Sequence, residues 1–123
     1  MTLYLPDGRA FSTGVCDYAI STSAVDETAT RLFIPVRVAG LEMEIQVMLD
    51  TGGFYLILHP DLGAELKLHP DAELERKTLL IRGLYWTGGL HRVTVTLLAT
   101  EGQDLEVDMT AFAPDLHHSA DWE

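Results

Sequence analysis

Three stretches of this chain alternate polar and apolar residues, and that alternation limits the possible folds more than any other feature. The runs span residues 42–49, 91–98 and 105–109. A period of two places the apolar side chains on one face of a β-strand, whereas an amphipathic helix needs a period of about 3.6. We therefore predict a mainly β fold.

Turn residues divide the chain into further elements. Residues 32–38 and 42–49 flank an Ala-Gly-Leu turn and predict a hairpin. The apolar run at residues 54–58 predicts a strand buried on both faces. The remaining predictions are short helices after the Leu-His-Pro-Asp segments 58–61 and 68–71, and a three-strand meander over residues 78–86, 90–99 and 104–112, with turns at 87–89 and 100–103.

Length, charge and cysteine content narrow the class of protein. At 123 residues the chain predicts a single domain over 1–123, with a core about 32–112 and a patternless tail at 113–123. A net charge of −11, from 8 Lys and Arg against 19 Asp and Glu, argues against nucleic acid and anionic lipid as partners. The chain has no apolar run near 20 residues and no signal-peptide pattern, so we expect a soluble protein without a membrane partner. Cys16 has no second cysteine with which to form a disulfide, which suits the reducing cytoplasm.

The triplet Asp50, Thr51 and Gly52 follows two apolar residues at the end of the predicted hairpin. Chance produces such a triplet in about one chain in forty of this length, so the triplet alone is weak evidence for a functional site. Its position after a predicted strand is the stronger evidence. One interpretation is a turn in which the Asp50 side chain caps backbone N–H groups of the following glycines. The other is a catalytic carboxylate held on a glycine turn at the end of a strand.

A predicted hairpin, the triplet after two apolar residues, a second apolar run and a short helix follow one another along the chain. Over residues 32–112, this order of features resembles that of the retropepsin-like aspartic proteases, which are single-domain relatives of pepsin. The resemblance implies a small closed β-barrel-like protomer with one or two short helices. It further implies that Asp50 is the catalytic carboxylate, that the Thr51 hydroxyl locks two active-site loops together across a dimer, and that Gly52 gives the substrate backbone room. We accordingly expect an aspartic endopeptidase that hydrolyses polypeptides and needs no cofactor.

The same resemblance makes residues 81–90 a flap, a mobile hairpin that closes over bound peptide. Its candidate substrate-binding residues are Gly83, Tyr85, Trp86 and Gly88. Tyr85 and Trp86 have a second interpretation as strand residues that face the core.

Hydrolysis by this route uses two carboxylates that share one proton: one activates water and the other stabilises the developing oxyanion. The chain contains one Asp-Thr-Gly triplet, so the second carboxylate is expected from Asp50 of a second copy, in a homodimer. Metal binding is not expected, because His59 and His69 begin separate helices and His117 and His118 are adjacent on a polar tail.

Two departures from the family pattern leave alternatives open. Gly53 stands where the family has Ala or Ser, and no second motif of two apolar residues and a Gly follows Phe112. The chain is then a truncated protease, a degenerate relative, or a member of a branch that dimerises differently. The alternative function is a non-catalytic dimerisation or peptide-binding module with the same fold.

Overall fold

The computed structural model describes residues 6–9, 14–22, 30–50, 52–68 and 70–122. This part of the chain is mainly β, as predicted. Its elements are β1 (Ala19–Thr22), β2 (Thr30–Val38), β3 (Ile45–Met48), β4 (Leu56–Ile57), α1 (Pro60–Glu65), a 3₁₀ helix (Pro70–Ala72), β5 (Glu75–Ile81), β6 (Leu84–Leu97), β7 (Leu105–Pro114) and a second 3₁₀ helix (Leu116–Asp121).

The strands form an open mixed sheet in which β4 and β7 are parallel. The chain divides into two compact units: the first unit comprises residues 1–51 and 95–107, and the second unit comprises residues 52–94 and 108–123. Strands β6 and β7 contribute residues to both units. The closed barrel implied by the family resemblance stays a prediction.

Strand β2 organises the first unit by pairing antiparallel with β1, with β3 and with the end of β6. Val36, Val38 and Val95 are buried where β2 meets β6. The predicted hairpin is confirmed, because β2 leads into β3 through a turn at Gly40, whose φ of 100° suits glycine. Strand β3 covers only the second half of the predicted run, since Glu42 and Met43 lie in a bend before it.

The second unit has an aromatic core. Trp86, Leu90 and Phe112 are buried together, and partly buried apolar side chains surround them, namely Tyr55, Ile57, Leu79, Ile81 and Trp122. In this core, side chains of β5, β6 and β7 pack together with Tyr55, Ile57 and Trp122, which lie outside these three strands.

The predicted turn at residues 87–89 is wrong. Strands β5 and β6 pair from Glu75 and Leu90 down to Ile81 and Leu84, so the turn consists of Arg82 and Gly83. Both residues have positive φ, 52° and 82°, as a tight two-residue hairpin turn requires. Because the turn comes earlier, the first predicted strand of the meander, residues 78–86, is split between β5 and β6.

Gly88 and Gly89, the glycines of the predicted turn, lie inside β6 for a different reason. A Cβ at Gly88 would overlap the Ala113 carbonyl oxygen, and one at Gly89 would overlap the Glu73 side chain. These glycines allow close approach of neighbouring chain segments.

The predictions for the segment between the hairpins are partly correct. The first short helix is confirmed as α1, with Pro60 at its start and His59 as N-cap, whose Nδ1 accepts the Asp61 N–H at 3.1 Å. The second is a single 3₁₀ turn, because β5 already begins at Glu75. The apolar run at 54–58 forms only the two-residue strand β4, and Phe54 is 94% exposed because pairing with β7 starts at Leu56.

The residues after Pro114, predicted as a patternless tail, fold into the second 3₁₀ helix. Its His118 is buried, and the Trp122 ring that follows lies 5.5 Å from the Trp86 ring. These contacts to distant residues, which no local pattern encodes, order the segment.

Candidate functional site

Asp50 occupies the position expected of a carboxylate carried by a strand end. Strand β3 ends at Met48, but the Leu49 N–H still donates to the Leu32 carbonyl oxygen at 2.9 Å, so the pairing with β2 continues one residue further. Asp50 follows directly and is exposed. Strand pairing thus anchors the backbone directly before an exposed residue.

Of the other two residues of the triplet, the structure describes Gly52 only. Thr51 lies outside the described residues. Gly52 is exposed and lies in a turn that opens the second unit. The glycine turn predicted after Asp50 is therefore present.

The β5–β6 hairpin separates the four candidate flap residues into two pairs. Gly83 in the turn and Tyr85, 73% exposed, lie at the accessible tip of the hairpin. Trp86 is 4% exposed and its Nε1–H donates to the Ile81 carbonyl oxygen at 3.1 Å, while Gly88 is buried. The burial of Trp86 favours its second interpretation as a core residue.

Sequence reasoning missed a polar cluster in the second unit, centred on Asp115. Arg76 binds both oxygens of the Asp115 carboxylate, at 2.8 and 2.6 Å, and also contacts Glu73 at 3.1 Å. The hydrogen bonds to Asp115 and the nearby negative charges raise the pKa of Arg76 above its ordinary value, against a small opposing effect of burial. Arg76 therefore stays cationic at every pH at which the folded protein can be assayed.

His118 joins this cluster to the sheet. Its Nε2 accepts the Thr87 backbone N–H at 3.0 Å and lies 3.1 Å from the Thr87 hydroxyl. The opposite ring nitrogen, Nδ1, lies 3.6 Å from the Asp121 carboxylate. His118 thus provides an acceptor for a part-buried backbone N–H of β6, which is a structural role.

A cleft of about 190 Å³ lies beside the cluster within the second unit. Its polar lining residues are Glu73, Arg76, His91 and Asp115, and its apolar lining includes Pro60 and Leu68. His91 is 5% exposed, and its Nδ1 has no hydrogen-bond partner among the described residues. The cleft brings two carboxylates, Glu73 and Asp115, against the single guanidinium of Arg76.

The Asp115 cluster left little trace in the sequence. The usable signals were Trp122, a large apolar residue in a polar segment, and Pro114, which marks the end of a strand. Neither could identify Thr87 or Arg76 as partners, because these contacts connect residues 28 and 39 positions apart in the chain.

Other site types receive no support in the described residues. No group of three or more His, Cys, Asp or Glu side chains there is placed to hold a metal ion. Cys16 is a partly buried free thiol. None of the helices described is long and apolar enough to cross a membrane.

Comparison of the chain with protein-family models, with curated proteins and with solved structures gives no match.

Proposed function

We propose that the chain is the protomer of a homodimeric aspartic endopeptidase of retropepsin-like fold. The observation that carries the proposal is the exposed position of Asp50 directly after strand-paired Leu49 and before a glycine turn. This local arrangement matches what the Asp-Thr-Gly motif requires of its carboxylate. Gly52 would give the substrate backbone room, and the Thr51 hydroxyl would brace the loops of the two protomers.

In the proposed reaction, the Asp50 carboxylates of two protomers share one proton. The ionised carboxylate takes a proton from water as the water attacks the peptide carbonyl carbon. The protonated carboxylate hydrogen-bonds to the developing oxyanion, and proton transfer to the leaving nitrogen completes cleavage of the C–N bond. Since two like charges in close contact cannot both ionise, the pair titrates as a unit.

The exposed tip of the β5–β6 hairpin supports the flap assignment for Gly83 and Tyr85. A flap residue must be free to contact a peptide, and Tyr85 keeps most of its ring in solvent. Trp86 and Gly88 would then support the flap from within the second unit.

The test is cleavage of a mixed peptide library, read by mass spectrometry between roughly pH 4 and 7, where a shared-proton pair titrates. Asp50→Asn should lower the rate by about 10²–10⁴-fold, because it removes the acid–base group. Asp17→Asn makes the same change at an exposed carboxylate of the first unit, where the contact to Thr100 uses the backbone N–H, and it should leave the rate unchanged.

Mixing variants tests whether two copies build one site. At equal concentrations of wild type and Asp50→Asn, both well above the dissociation constant of the dimer, random pairing leaves about a quarter of the dimers with two Asp50 carboxylates, so the rate per wild-type chain should fall. An unchanged rate per wild-type chain would mean that each chain acts alone and would overturn the shared dyad. A folded protein without cleavage at any pH or concentration would favour the alternative, a non-catalytic dimerisation or peptide-binding module.

A further inference from the structure

The cleft of the second unit carries an excess of negative charge, and Glu73 is the source of the excess. Arg76 Nη2 contacts both oxygens of the Asp115 carboxylate, at 2.8 and 2.6 Å, whereas Glu73 receives a single contact, from Arg76 Nη1 at 3.1 Å. The Glu73 side chain is 15% exposed, so water screens its charge poorly. Glu73 is therefore the carboxylate that a second cation would neutralise.

His91, which also lines the cleft, is a buried side chain whose ring lacks a hydrogen bond to the described residues. The side chain is 7% exposed, its Nδ1 has no partner among those residues, and its Nε2 lies 4.0 Å from Glu73 Oε2, beyond hydrogen-bond distance. Buried polar groups are nearly always paired, and an unpaired one in a cleft points to a ligand. Because no hydrogen bond fixes the tautomer, Nε2 is able to serve as an acceptor.

The space between His91 and Glu73 suits one hydrogen-bond donor. A hydrogen bond measures about 2.9 Å, so an atom placed between His91 Nε2 and Glu73 Oε2, which lie 4.0 Å apart, reaches both. An ammonium group has three donors and no acceptor, and its positive charge offsets that of the carboxylate. An anionic ligand would instead be repelled by two carboxylates. A metal ion needs further protein ligands, which the described residues do not bring together.

The rest of the lining determines what carries the ammonium group. The cleft measures about 190 Å³, below the roughly 300–1,000 Å³ of clefts that hold drug-sized ligands. Pro60 and Leu68 provide an apolar wall, which suits an alkyl stem such as that of a lysine side chain. We propose that the cleft binds a primary ammonium group on a short alkyl stem, held by the Glu73 carboxylate and by His91 Nε2. The group comes from a free alkylamine or from a lysine of a polypeptide, and its binding does not depend on Asp50.

Titration of the nitrogen-15-labelled full chain with n-butylammonium, followed by nuclear magnetic resonance above the ordinary pKa of histidine, tests this site. The backbone N–H signals of Leu68 and Gly89, both in the cleft lining, should shift saturably. n-Butanol and n-butyrate have the same stem without the positive charge, and each should bind about tenfold more weakly or worse, because the charge-assisted hydrogen bond is lost. Nα-acetyl-lysine N-methylamide identifies the source of the ammonium group. Tighter binding than that of n-butylammonium assigns the site to a polypeptide lysine, and equal or weaker binding assigns it to a free amine.

Variants of the two acceptor residues test which groups hold the ammonium. Glu73→Gln keeps the shape of the side chain without its charge and should raise the dissociation constant for n-butylammonium about tenfold or more. Glu75→Gln is the matched control, because it removes the same charge from an exposed side chain that pairs with Lys77 outside the cleft, and it should leave the constant unchanged. His91→Leu removes the acceptor nitrogen and should weaken binding with Glu73 still in place. Far-UV circular dichroism establishes that each variant is folded.

Three results would overturn the ammonium site. The first is that the signals of Leu68 and Gly89 do not shift saturably at any concentration of n-butylammonium, which would leave a water molecule as the bridge between His91 and Glu73. The second is that n-butanol binds as tightly as n-butylammonium. The third is that Glu75→Gln weakens binding as much as Glu73→Gln, which would make the attraction a property of the whole acidic chain.

Discussion

Two hairpins of this chain use their apolar residues in opposite ways. The β2–β3 hairpin of the first unit leaves Leu32 and Leu49 exposed beside Asp50. The β5–β6 hairpin of the second unit buries Trp86 and holds it against the rings of Trp122 and His118. The second hairpin thus packs Trp86 into the core of its own unit, whereas Leu32 and Leu49 of the first lie at the surface. Truncating Trp86 should accordingly lower stability more than truncating Leu49.

The largest expected contrast is between Trp86→Ala and Leu49→Ala. Removing the Trp86 ring leaves a cavity in the aromatic core and should lower the free energy of unfolding by about 3–5 kcal/mol. Leu49→Ala at a half-exposed position should cost less than about 1 kcal/mol. Urea unfolding followed by far-UV circular dichroism, at a concentration where the protein is monomeric, measures both. Equal losses would mean that the two hairpins do not differ in this way.

The glycines of the second hairpin give the next contrast. Gly88→Ala places a methyl group on the Ala113 carbonyl oxygen and should cost about 3 kcal/mol, because backbone must move to make room. Gly83→Ala meets nothing within 4 Å, so it should cost only the strain of an alanine at φ of 82°, about 1 kcal/mol. The same unfolding experiment compares the two. A larger loss for Gly83→Ala would contradict the assignment of Gly88 to close packing.

These glycines also show what local pattern can and cannot predict. Alternation identified β3, because a strand with one buried face needs a period of two, and the end of that strand identified the position of Asp50. The Gly88-Gly89 pair was misread as a turn, since glycine serves both turns and close packing. Only the pairing of β5 with β6 distinguishes the two uses.

The Asp115 cluster and the second 3₁₀ helix were beyond sequence reasoning for a related reason. Their stability comes from contacts between distant residues, such as His118 with Thr87 and Arg76 with Asp115. A short 3₁₀ segment has no periodicity of its own that would reveal such contacts.

His118 and His117 test whether the second 3₁₀ helix stabilises the second hairpin. His118→Ala removes the acceptor of the Thr87 N–H, which is part-buried, and should lower the free energy of unfolding by about 1–3 kcal/mol. His117 is exposed, so His117→Ala should change it by no more than about 0.5 kcal/mol. Thermal unfolding of both variants measures the difference. Identical midpoints would show that the hydrogen bond to Thr87 contributes nothing to the stability of this unit.

The smallest expected effect is a gain in stability at the turn of the second hairpin. The β2–β3 turn meets its positive φ with Gly40, whereas the β5–β6 turn places Arg82 at a φ of 52°, a conformation that costs most residues energy but that asparagine tolerates. Arg82→Asn creates the Asn-Gly pair favoured in such turns and should raise the free energy of unfolding by about 0.5 kcal/mol. Arg82→Gln removes the same charge without the backbone preference and should give no gain. If both variants stabilise the protein equally, the effect comes from charge, and the turn geometry of the second hairpin is not the source of strain.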